Sequence, residues 1–403
     1  MALWLFSAGF TAAAAAQDEA HPAAPEAEQS WDQCVGALRD DALSQGIPAE
    51  TVADVFDNVS QLPRVIQADR AQPEFTETFT QYYEKRVTDF RVTHGRNLLA
   101  SHSPLLARIH SRTGVPPQYL IAFWGLETNF GAYFGKLPIP SALTTLACDS
   151  RRGEFFAREL LATLRIIANG DIERTELIGS WAGAIGHMQF MPTTFLSYAE
   201  DADDDGRRDL IGSIDDALTS GAAYLAAMGW EAGYRWGREV LLPANFDFAL
   251  AGSEQWRPLA DWANMDVKDA FGEPLAHSDI EAALLLPSGH LGPAFLVYPN
   301  YRTIMKWNRS AFYALSVGRL ADRIAGAGHL STALPDVRFS TQAMIDLQNG
   351  LNQLGFAAGT PDGILGPATR NAIRDFQQRN DQVPDGYPTE ALFAAVATQA
   401  AVR

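Results

Sequence analysis

Apolar residues recur at helical spacing over most of this chain, and this periodicity constrains its fold more than any other feature. The pattern runs from Trp31 to about Ala327. Its clearest sets are Val52, Val55, Phe56 and Val59, and then Leu218, Ala222 and Leu225. Spacings of three and four residues place side chains on one face of a helix. Because 47% of the 403 residues are hydrophobic and 20% are charged, the chain can bury a sizeable core in more than one domain. The sequence therefore predicts one large, mostly α-helical domain.

One segment inside this domain has a different pattern. Between Leu241 and Tyr298 the apolar residues form short runs, at 282–286 and 294–297, separated by Gly and Pro. Short apolar runs bounded by turn residues are typical of strands. We predict a small β-containing insertion here.

The C-terminal part forms a separate unit. Residues 331–340 have little periodicity, and we interpret them as a linker between a body at 31–330 and a domain at 341–403. The tail contains two helix-like stripes and two Pro-Asp-Gly turns, and Pro367 stands where a first helical residue is expected. The predicted fold class is mainly α, with a helical body, a small β-containing insertion and a small three-helix C-terminal domain.

The N-terminal residues have the pattern of an export signal. Residues 1–16 hold an apolar stretch that ends in three alanines, and residues 17–30 are rich in Ala, Pro and Glu without periodicity. We expect a signal peptide at 1–16, a flexible leader at 17–30, and a soluble protein exported to the periplasm. No membrane anchor is expected, because the nearest cysteine after the apolar stretch is Cys34.

The chain has two cysteines, Cys34 and Cys148. In an oxidising compartment they form either one disulfide or two buried thiols. A disulfide requires the two Cα atoms to lie within about 7 Å, which the sequence does not reveal. Both alternatives stay open at this point.

The net charge of −17 excludes one class of partner. Binding to nucleic acid phosphates requires a basic surface, and no stretch of the chain is dense enough in Lys and Arg to form one. No nucleic acid partner is therefore expected.

Glu127 is the strongest candidate for chemistry. Pro116 and Pro117 open an apolar helix, and Glu127 follows near its end, on the same face as Phe123 and Trp124. An apolar surrounding disfavours the charged carboxylate and raises its pKa, which suits an acid that donates a proton near neutral pH. The alternative is a glutamate that caps its helix or extends into solvent.

A second candidate element is the Gly-rich segment 181–192. Gly183 and Gly186 would let the backbone approach a ligand closely, while Gln189 is a polar group between Met188 and Phe190. This pattern favours a sugar-binding wall. The alternative is a tight turn where helices pack.

Together these two segments resemble the lytic murein transglycosylase B family, glycoside hydrolase family 103. Glu127 lies within Phe-Trp-Gly-Leu-Glu-Thr-Asn-Phe-Gly, and the likeness extends from 72–75 through 292–295 to 308–315. The resemblance implies a lysozyme-like catalytic domain that cleaves the bond between N-acetylmuramic acid and N-acetylglucosamine of peptidoglycan glycan strands without water. The product carries a 1,6-anhydro ring on the muramic acid.

The resemblance also implies roles for individual residues. Glu127 matches the single catalytic glutamate, with no cofactor required. With the wall residues of the Gly-rich segment included, the expected substrate-binding residues are Arg151, Arg152, Gly183, Gly186, Met188, Gln189, Phe190, Tyr224, Trp307, Asn308 and Tyr313. Trp307 stands where the motif usually has Tyr before Asn-x-Ser, so a hydroxyl hydrogen bond is lost there while stacking on a sugar is retained.

Glu127 has no partner carboxylate in either motif. Ordinary glycosidases use two carboxylates, one on each side of the bond. With one, a consistent route is protonation of the glycosidic oxygen by Glu127, followed by return of a proton from the C6 hydroxyl. Two alternatives stay open: a hydrolytic muramidase and a noncatalytic wall-binding protein.

An acidic loop predicts a structural Ca²⁺ site. Asp201, Asp203 and Asp205 alternate before a Gly at the sixth position, and Arg207 at the seventh would contribute its carbonyl. Position twelve is not acidic, but Asp215 three residues later resembles the lengthened loop of some family members. The alternative is an acidic solvated loop.

The tail resembles the peptidoglycan-binding module of many wall enzymes. The resemblance depends on the Gln348, Asp362-Gly363, Thr369 and Phe376-Gln377 positions. Its implied role is targeting, since a second weak site on one polymer raises effective concentration.

Overall fold

The computed structural model describes residues 30–71, 77–336 and 338–402. The predicted signal peptide, residues 17–29 of the predicted leader and the family-like positions 72–75 lie outside the described residues. Among residues that are described, no helix combines the length and the hydropathy that a bilayer crossing requires.

Fourteen of the described helices belong to the body. They are α1 (Trp31–Ser44), α2 (Ala49–Phe56), α3 (Pro63–Ala71), α4 (Phe79–Arg86), α5 (Asp89–Ser101), α6 (Ser103–Thr113), α7 (Pro117–Thr128), α8 (Ile139–Ala147), α9 (Gly153–Ala168), α10 (Pro192–Tyr198), α11 (Ile214–Ala227), α12 (Leu259–Asn264), α13 (Pro299–Trp307) and α14 (Ala311–Ile324). The central helix is α7, which packs against α5, α6, α11 and α14. It is buried on nearly all sides because it is apolar all round.

The insertion is a sheet, as the short apolar runs predict. Its strands are β3 (Gly237–Leu241), β4 (Arg257–Pro258), β5 (Lys268–Asp269), β6 (Glu281–Leu285) and β7 (Ala294–Val297), in the order β4-β6-β7-β3-β5 with antiparallel pairs. A separate pair, β1 (Leu137–Pro138) and β2 (Ile178–Gly179), lies in the helical body. One face of the larger sheet has its own core around Trp262, which is fully buried. The insertion begins at Gly237, slightly before the predicted Leu241.

The C-terminal domain has three helices with a separate core, as predicted. These are α15 (Thr341–Gln353), α16 (Pro367–Arg379) and α17 (Glu390–Ala401). Pro367 is the first residue of α16, a position where its missing N–H and fixed φ cost nothing. The mainly α fold class is therefore confirmed.

The C-terminal domain touches the body through a buried carboxylate. Asp385 is 5% exposed, and its Oδ2 accepts hydrogen bonds from the backbone N–H (2.9 Å) and Nδ1 (2.6 Å) of His290 in the β6–β7 loop. The start of the predicted linker is also held, because Glu239 on β3 accepts from the backbone N–H groups of Ser331 and Thr332. The first residues of the predicted linker are thus bound to the sheet. The exact domain bounds stay a prediction.

Cys34 and Cys148 form a disulfide. Their Cα atoms lie 5.9 Å apart, and the bond joins α1 to the residue that ends α8. Of the two alternatives left open by the sequence, the structure contains the bridge.

Candidate active site

Glu127 lies in the last turn of α7, where the helix is forced to end. The next residues, Asn129 and Phe130, have left-handed backbone angles with φ of 50° and 62°. Such angles stop an α-helix because they cannot continue its hydrogen-bond ladder. The carboxyl group is thereby fixed at the end of a rigid buried helix.

Two hydrogen-bond donors converge on one oxygen of Glu127. Nε1 of Trp307 donates to Oε1 at 3.0 Å, and the hydroxyl of Tyr313 donates to the same atom. Burial raises the pKa of Glu127 to about 7, while the hydrogen bonds from Tyr313 and Trp307 act in the opposite direction. The raised pKa that the apolar helix predicts is therefore present.

The segment that supplies both donors is a sharp junction between two helices. Trp307 ends α13, and Ser310 caps α14 by accepting from the backbone N–H of Tyr313 at 3.3 Å. Asn308 is exposed, and its Oδ1 accepts from the backbone N–H of Ser310 at 3.0 Å. The Asn-x-Ser sequence therefore forms the turn that directs Trp307 and Tyr313 toward Glu127.

Trp307 lies in a cluster of aromatic rings. Its ring centroid is 4.5 Å from that of Phe123, 5.2 Å from Tyr224 and 5.5 Å from Phe190. Tyr224 is partly buried, and burial raises the pKa of its hydroxyl. These contacts fix the indole plane, so Trp307 is held by protein rings as well as by Glu127.

Gln189 lies in a strained turn of the Gly-rich segment. Its φ is 48°, which a residue other than Gly adopts only where neighbours hold it. Its Nε2 donates to the carbonyl of Gly186 at 3.0 Å, and the side chain is partly buried. A polar amide is thus positioned by its own loop, and its contact with substrate stays a prediction.

Four residues near Gln189 were expected to contact a sugar, but each of them packs against protein in the structure. A Cβ on Gly183 would lie 2.5 Å from the side chain of Leu143, and one on Gly186 would lie 2.1 Å from the carbonyl oxygen of Leu210. Both glycines are therefore needed for close packing against protein. The side chains of Met188 and Phe190 are 0% and 2% exposed, so they pack behind the loop and offer no surface to a sugar.

His187 is a residue of this loop that the sequence analysis did not single out. Its Nδ1 accepts a hydrogen bond from Nε1 of Trp124 at 2.9 Å, and its carbonyl accepts from the hydroxyl of Thr128 at 3.0 Å. Burial lowers the pKa of His187 to about 4, so the ring is neutral near pH 7 and can accept. His187 thus joins the Gly-rich loop to the helix of Glu127. The only signal in the sequence was a histidine between Gly186 and Met188 of the Gly-rich segment.

Arg151 and Arg152 both bind one buried carboxylate. Each guanidinium donates to Asp69, at 2.9 Å and 3.2 Å, and the Asp69 side chain is only 4% exposed. The pair therefore joins α3 to the start of α9. Their other donors remain available, and a contact with substrate stays a prediction.

The acidic loop brings three of its predicted ligands together. Carboxylate oxygens of Asp201, Asp203 and Asp205 lie within 4.8 Å of one another. Asp201 also accepts from the backbone N–H groups of Asp205 and Gly206, at 3.2 and 2.8 Å, which closes the loop around the cluster. Two oxygens that share one Ca²⁺ at about 2.4 Å lie up to about 4.8 Å apart, so the three carboxylates fit this ion.

Two further ligands were predicted, the backbone carbonyl of Arg207 and the carboxylate of Asp215. The Arg207 guanidinium donates to the carbonyl of Asp171 at 3.2 Å, and its backbone N–H donates to Asp205 at 2.8 Å. Asp215 lies in the first turn of α11 and is not part of the three-carboxylate cluster. Participation of either residue in metal binding stays a prediction.

Comparison with known proteins identifies the family. Residues 30–322 match the model of the transglycosylase SLT domain, and residues 340–396 match that of a putative peptidoglycan binding domain. The chain is 30% identical over 290 residues to membrane-bound lytic murein transglycosylase B of Escherichia coli, covering 70% of this chain and 76% of that protein.

Two solved structures extend the likeness to three dimensions. SltB3 from Pseudomonas aeruginosa, in complex with NAG-anhNAM-pentapeptide, is 45% identical with a TM-score of 0.87, covering 92% of this chain and 100% of that chain. The Escherichia coli lytic transglycosylase Slt35, in complex with calcium, is 28% identical with a TM-score of 0.63, covering 72% of this chain and 92% of that chain. This chain therefore belongs to the lytic murein transglycosylase B family, with a lysozyme-like SLT domain followed by a peptidoglycan-binding domain.

Proposed function

We propose that this chain is a peptidoglycan lytic transglycosylase in which Glu127 acts first as the acid and then as the base. The observation that carries the proposal is a single carboxyl group whose pKa is raised to about 7 by burial at the end of α7. Among the described residues, no neighbouring carboxylate contributes to that shift. A hydrolase of the usual two-carboxylate kind needs a second acid within about 10 Å of the first.

The reaction begins with the neutral form of Glu127. Its proton passes to the glycosidic oxygen as the bond from that oxygen to C1 of the muramic acid breaks. The N-acetyl oxygen of the same sugar stabilises the positive charge that develops at C1. Oxygen O6 then attacks C1, and its proton returns to Glu127. One proton leaves and one returns, so no water is consumed.

Glu127 transfers the proton in this reaction, and the residues around it position the substrate. A pKa near 7 lets one group hold the proton before cleavage and accept it afterwards at neutral pH. Gln189 offers a positioned amide in the same loop as His187, and the exposed Asn308 lies at the junction beside Trp307. We assign substrate positioning to Gln189, Asn308 and the outer edge of Tyr224.

The product distinguishes this proposal from its alternatives. Purified protein is incubated with intact sacculi, and the soluble muropeptides are analysed by mass. Anhydro-muropeptides are expected. Reducing ends, heavier by one water, would replace the transglycosylase with a muramidase. Binding to sacculi without any soluble product would favour the noncatalytic wall-binding protein.

We assign to residues 341–403 a targeting role on the cell wall. The support is the match of residues 340–396 to the model of a putative peptidoglycan binding domain. We also propose a periplasmic location, which the peptidoglycan substrate and the apolar stretch at residues 1–16 support.

We also assign Ca²⁺ to the acidic loop as a structural ion. Asp201, Asp203 and Asp205 would hold it, and the loop sequence adds the Arg207 carbonyl and Asp215 as further candidate ligands. The support is the fit of the three carboxylates and the calcium complex of the related Slt35. Calcium there would neutralise an acidic loop that adjoins the active-site segment, because the backbone N–H of His187 donates to the carbonyl of Leu210 at 2.9 Å.

A further inference from the structure

Trp307 donates a hydrogen bond to the catalytic carboxyl group of Glu127, whereas its expected role was to stack its ring on a sugar. Its indole N–H and the Tyr313 hydroxyl both end on Oε1, at 3.0 Å for the indole, and neither of these bonds ends on Oε2. The two oxygens of the carboxyl group are therefore not equivalent. One is occupied by protein donors, and the other is the oxygen left for substrate.

The two donors differ in what they can do when Glu127 changes its protonation state. A tyrosine hydroxyl can donate to a carboxylate or accept from a carboxylic acid, whereas an indole N–H can only donate. If the proton of neutral Glu127 were on Oε1, the Trp307 N–H would point at a hydroxyl oxygen, which is a poor acceptor. A partly buried donor left in that state is unfavourable.

The indole cannot easily turn away from Glu127. Phe123, Phe190 and Tyr224 surround its ring at centroid distances of 4.5 to 5.5 Å. Trp307 also ends α13, immediately before the junction at Asn308. Both the backbone and the ring packing therefore hold the N–H in line with Oε1.

We infer that Trp307 is a positioning residue that keeps Oε1 of Glu127 a hydrogen-bond acceptor in both protonation states, so that Oε2 carries the transferred proton. This inference depends on the proposed function and deepens it, because it names the oxygen that acts as acid and then as base.

Removal of the Trp307 N–H is expected to change the pKa of Glu127 in one direction. The hydrogen bond from Trp307 stabilises the charged carboxylate, so Trp307→Phe is expected to raise the pKa of Glu127 further. The same variant keeps an aromatic ring against Phe123 but leaves Oε1 free to carry the proton. Turnover is expected to fall about tenfold to a hundredfold with little change in KM, because misplaced reacting groups lose that much.

The first experiment follows the titration of Glu127 without using activity. The carboxyl ¹³C signals of the parent, Trp307→Phe and Trp307→Tyr are recorded against pH, with Glu127→Gln identifying the signal. We expect Trp307→Phe to titrate at higher pH than the parent, and Trp307→Tyr, which restores a donor, to titrate near the parent. An identical titration in Trp307→Phe and the parent would overturn the inference. Because the titration needs no substrate, it stands even if the chain yields no anhydro product.

The second experiment uses the parent protein and needs no folded variant at position 307. The indole ¹H–¹⁵N resonance of Trp307 is followed through the titration of Glu127. A downfield, slowly exchanging N–H at both ends of the titration is expected, because Oε1 accepts throughout. An N–H that moves upfield and exchanges rapidly once Glu127 is protonated would overturn the inference, since Oε1 would then carry the proton.

Discussion

The raised pKa of Glu127 predicts that this residue lowers the stability of the folded protein at neutral and alkaline pH. Burial moves the pKa from its usual 4.5 to about 7. At about 1.4 kcal/mol per pKa unit, the difference corresponds to roughly 3 kcal/mol. Between these two pH values the unfolded chain releases the proton while the folded chain retains it. The free energy of unfolding therefore falls as pH rises, and the loss is complete above pH 7.

Glu127→Gln removes this pH dependence without removing the hydrogen bonds. The amide oxygen can accept from both Trp307 and Tyr313, and the amide carries no charge at any pH. We expect the parent and the variant to be equally stable near pH 4.5. At pH 8 the variant should be more stable by roughly 3 kcal/mol, which raises Tm by several degrees in a protein of this size.

The measurement is thermal unfolding of both proteins at intervals from pH 4.5 to 9. The effects of all other titrating groups cancel in the Tm difference between the parent and Glu127→Gln. Glu84→Gln, which removes an exposed carboxyl from α4, is the control for loss of one negative charge. A Tm difference between parent and Glu127→Gln that stays constant over the whole pH range would show that folding does not raise the pKa of Glu127.

Three further predictions concern parts of the molecule outside the catalytic carboxyl group. Calcium should raise Tm, and Asp203→Ala combined with Asp205→Ala should abolish the shift; a parent protein indifferent to calcium would contradict the metal assignment. Replacing Cys34 and Cys148 with Ser should lower the free energy of unfolding by about 2–4 kcal/mol, measured by urea denaturation, and an unchanged midpoint would count against a stabilising bridge. Deleting residues 341–403 should leave cleavage of soluble glycan fragments intact but reduce sedimentation with sacculi, and equal sedimentation would argue against targeting.

Local patterns in the sequence predicted much of the fold. The helices of the body and tail follow from apolar spacings of three and four residues, and the strands of the insertion follow from short apolar runs between Pro and Gly. The raised pKa of Glu127 was also predictable, because Phe123 and Trp124 lie on its own helix face. Each of these features depends on residues that are close in the chain.

The contacts that shape the site are long-range, and the sequence did not predict them. Trp307 lies 180 positions from Glu127, and no local pattern indicates that its N–H points at a carboxyl oxygen rather than its ring at a sugar. The pairing of Arg151 with Asp69 likewise spans 82 positions. Met188 looks like part of a binding wall in the sequence, but its burial depends on α11, whose Gly221 leaves room for it.

A paired measurement on Glu127→Gln determines whether Glu127 supplies and recovers the proton. Parent and Glu127→Gln are compared for release of anhydro-muropeptides from sacculi and, in the same samples, for binding to them. We expect the variant to bind like the parent while its turnover falls by at least ~10²–10⁴-fold, because the amide can neither give nor accept the transferred proton. Release of anhydro-muropeptides at the parental rate by Glu127→Gln would place the acid at another residue.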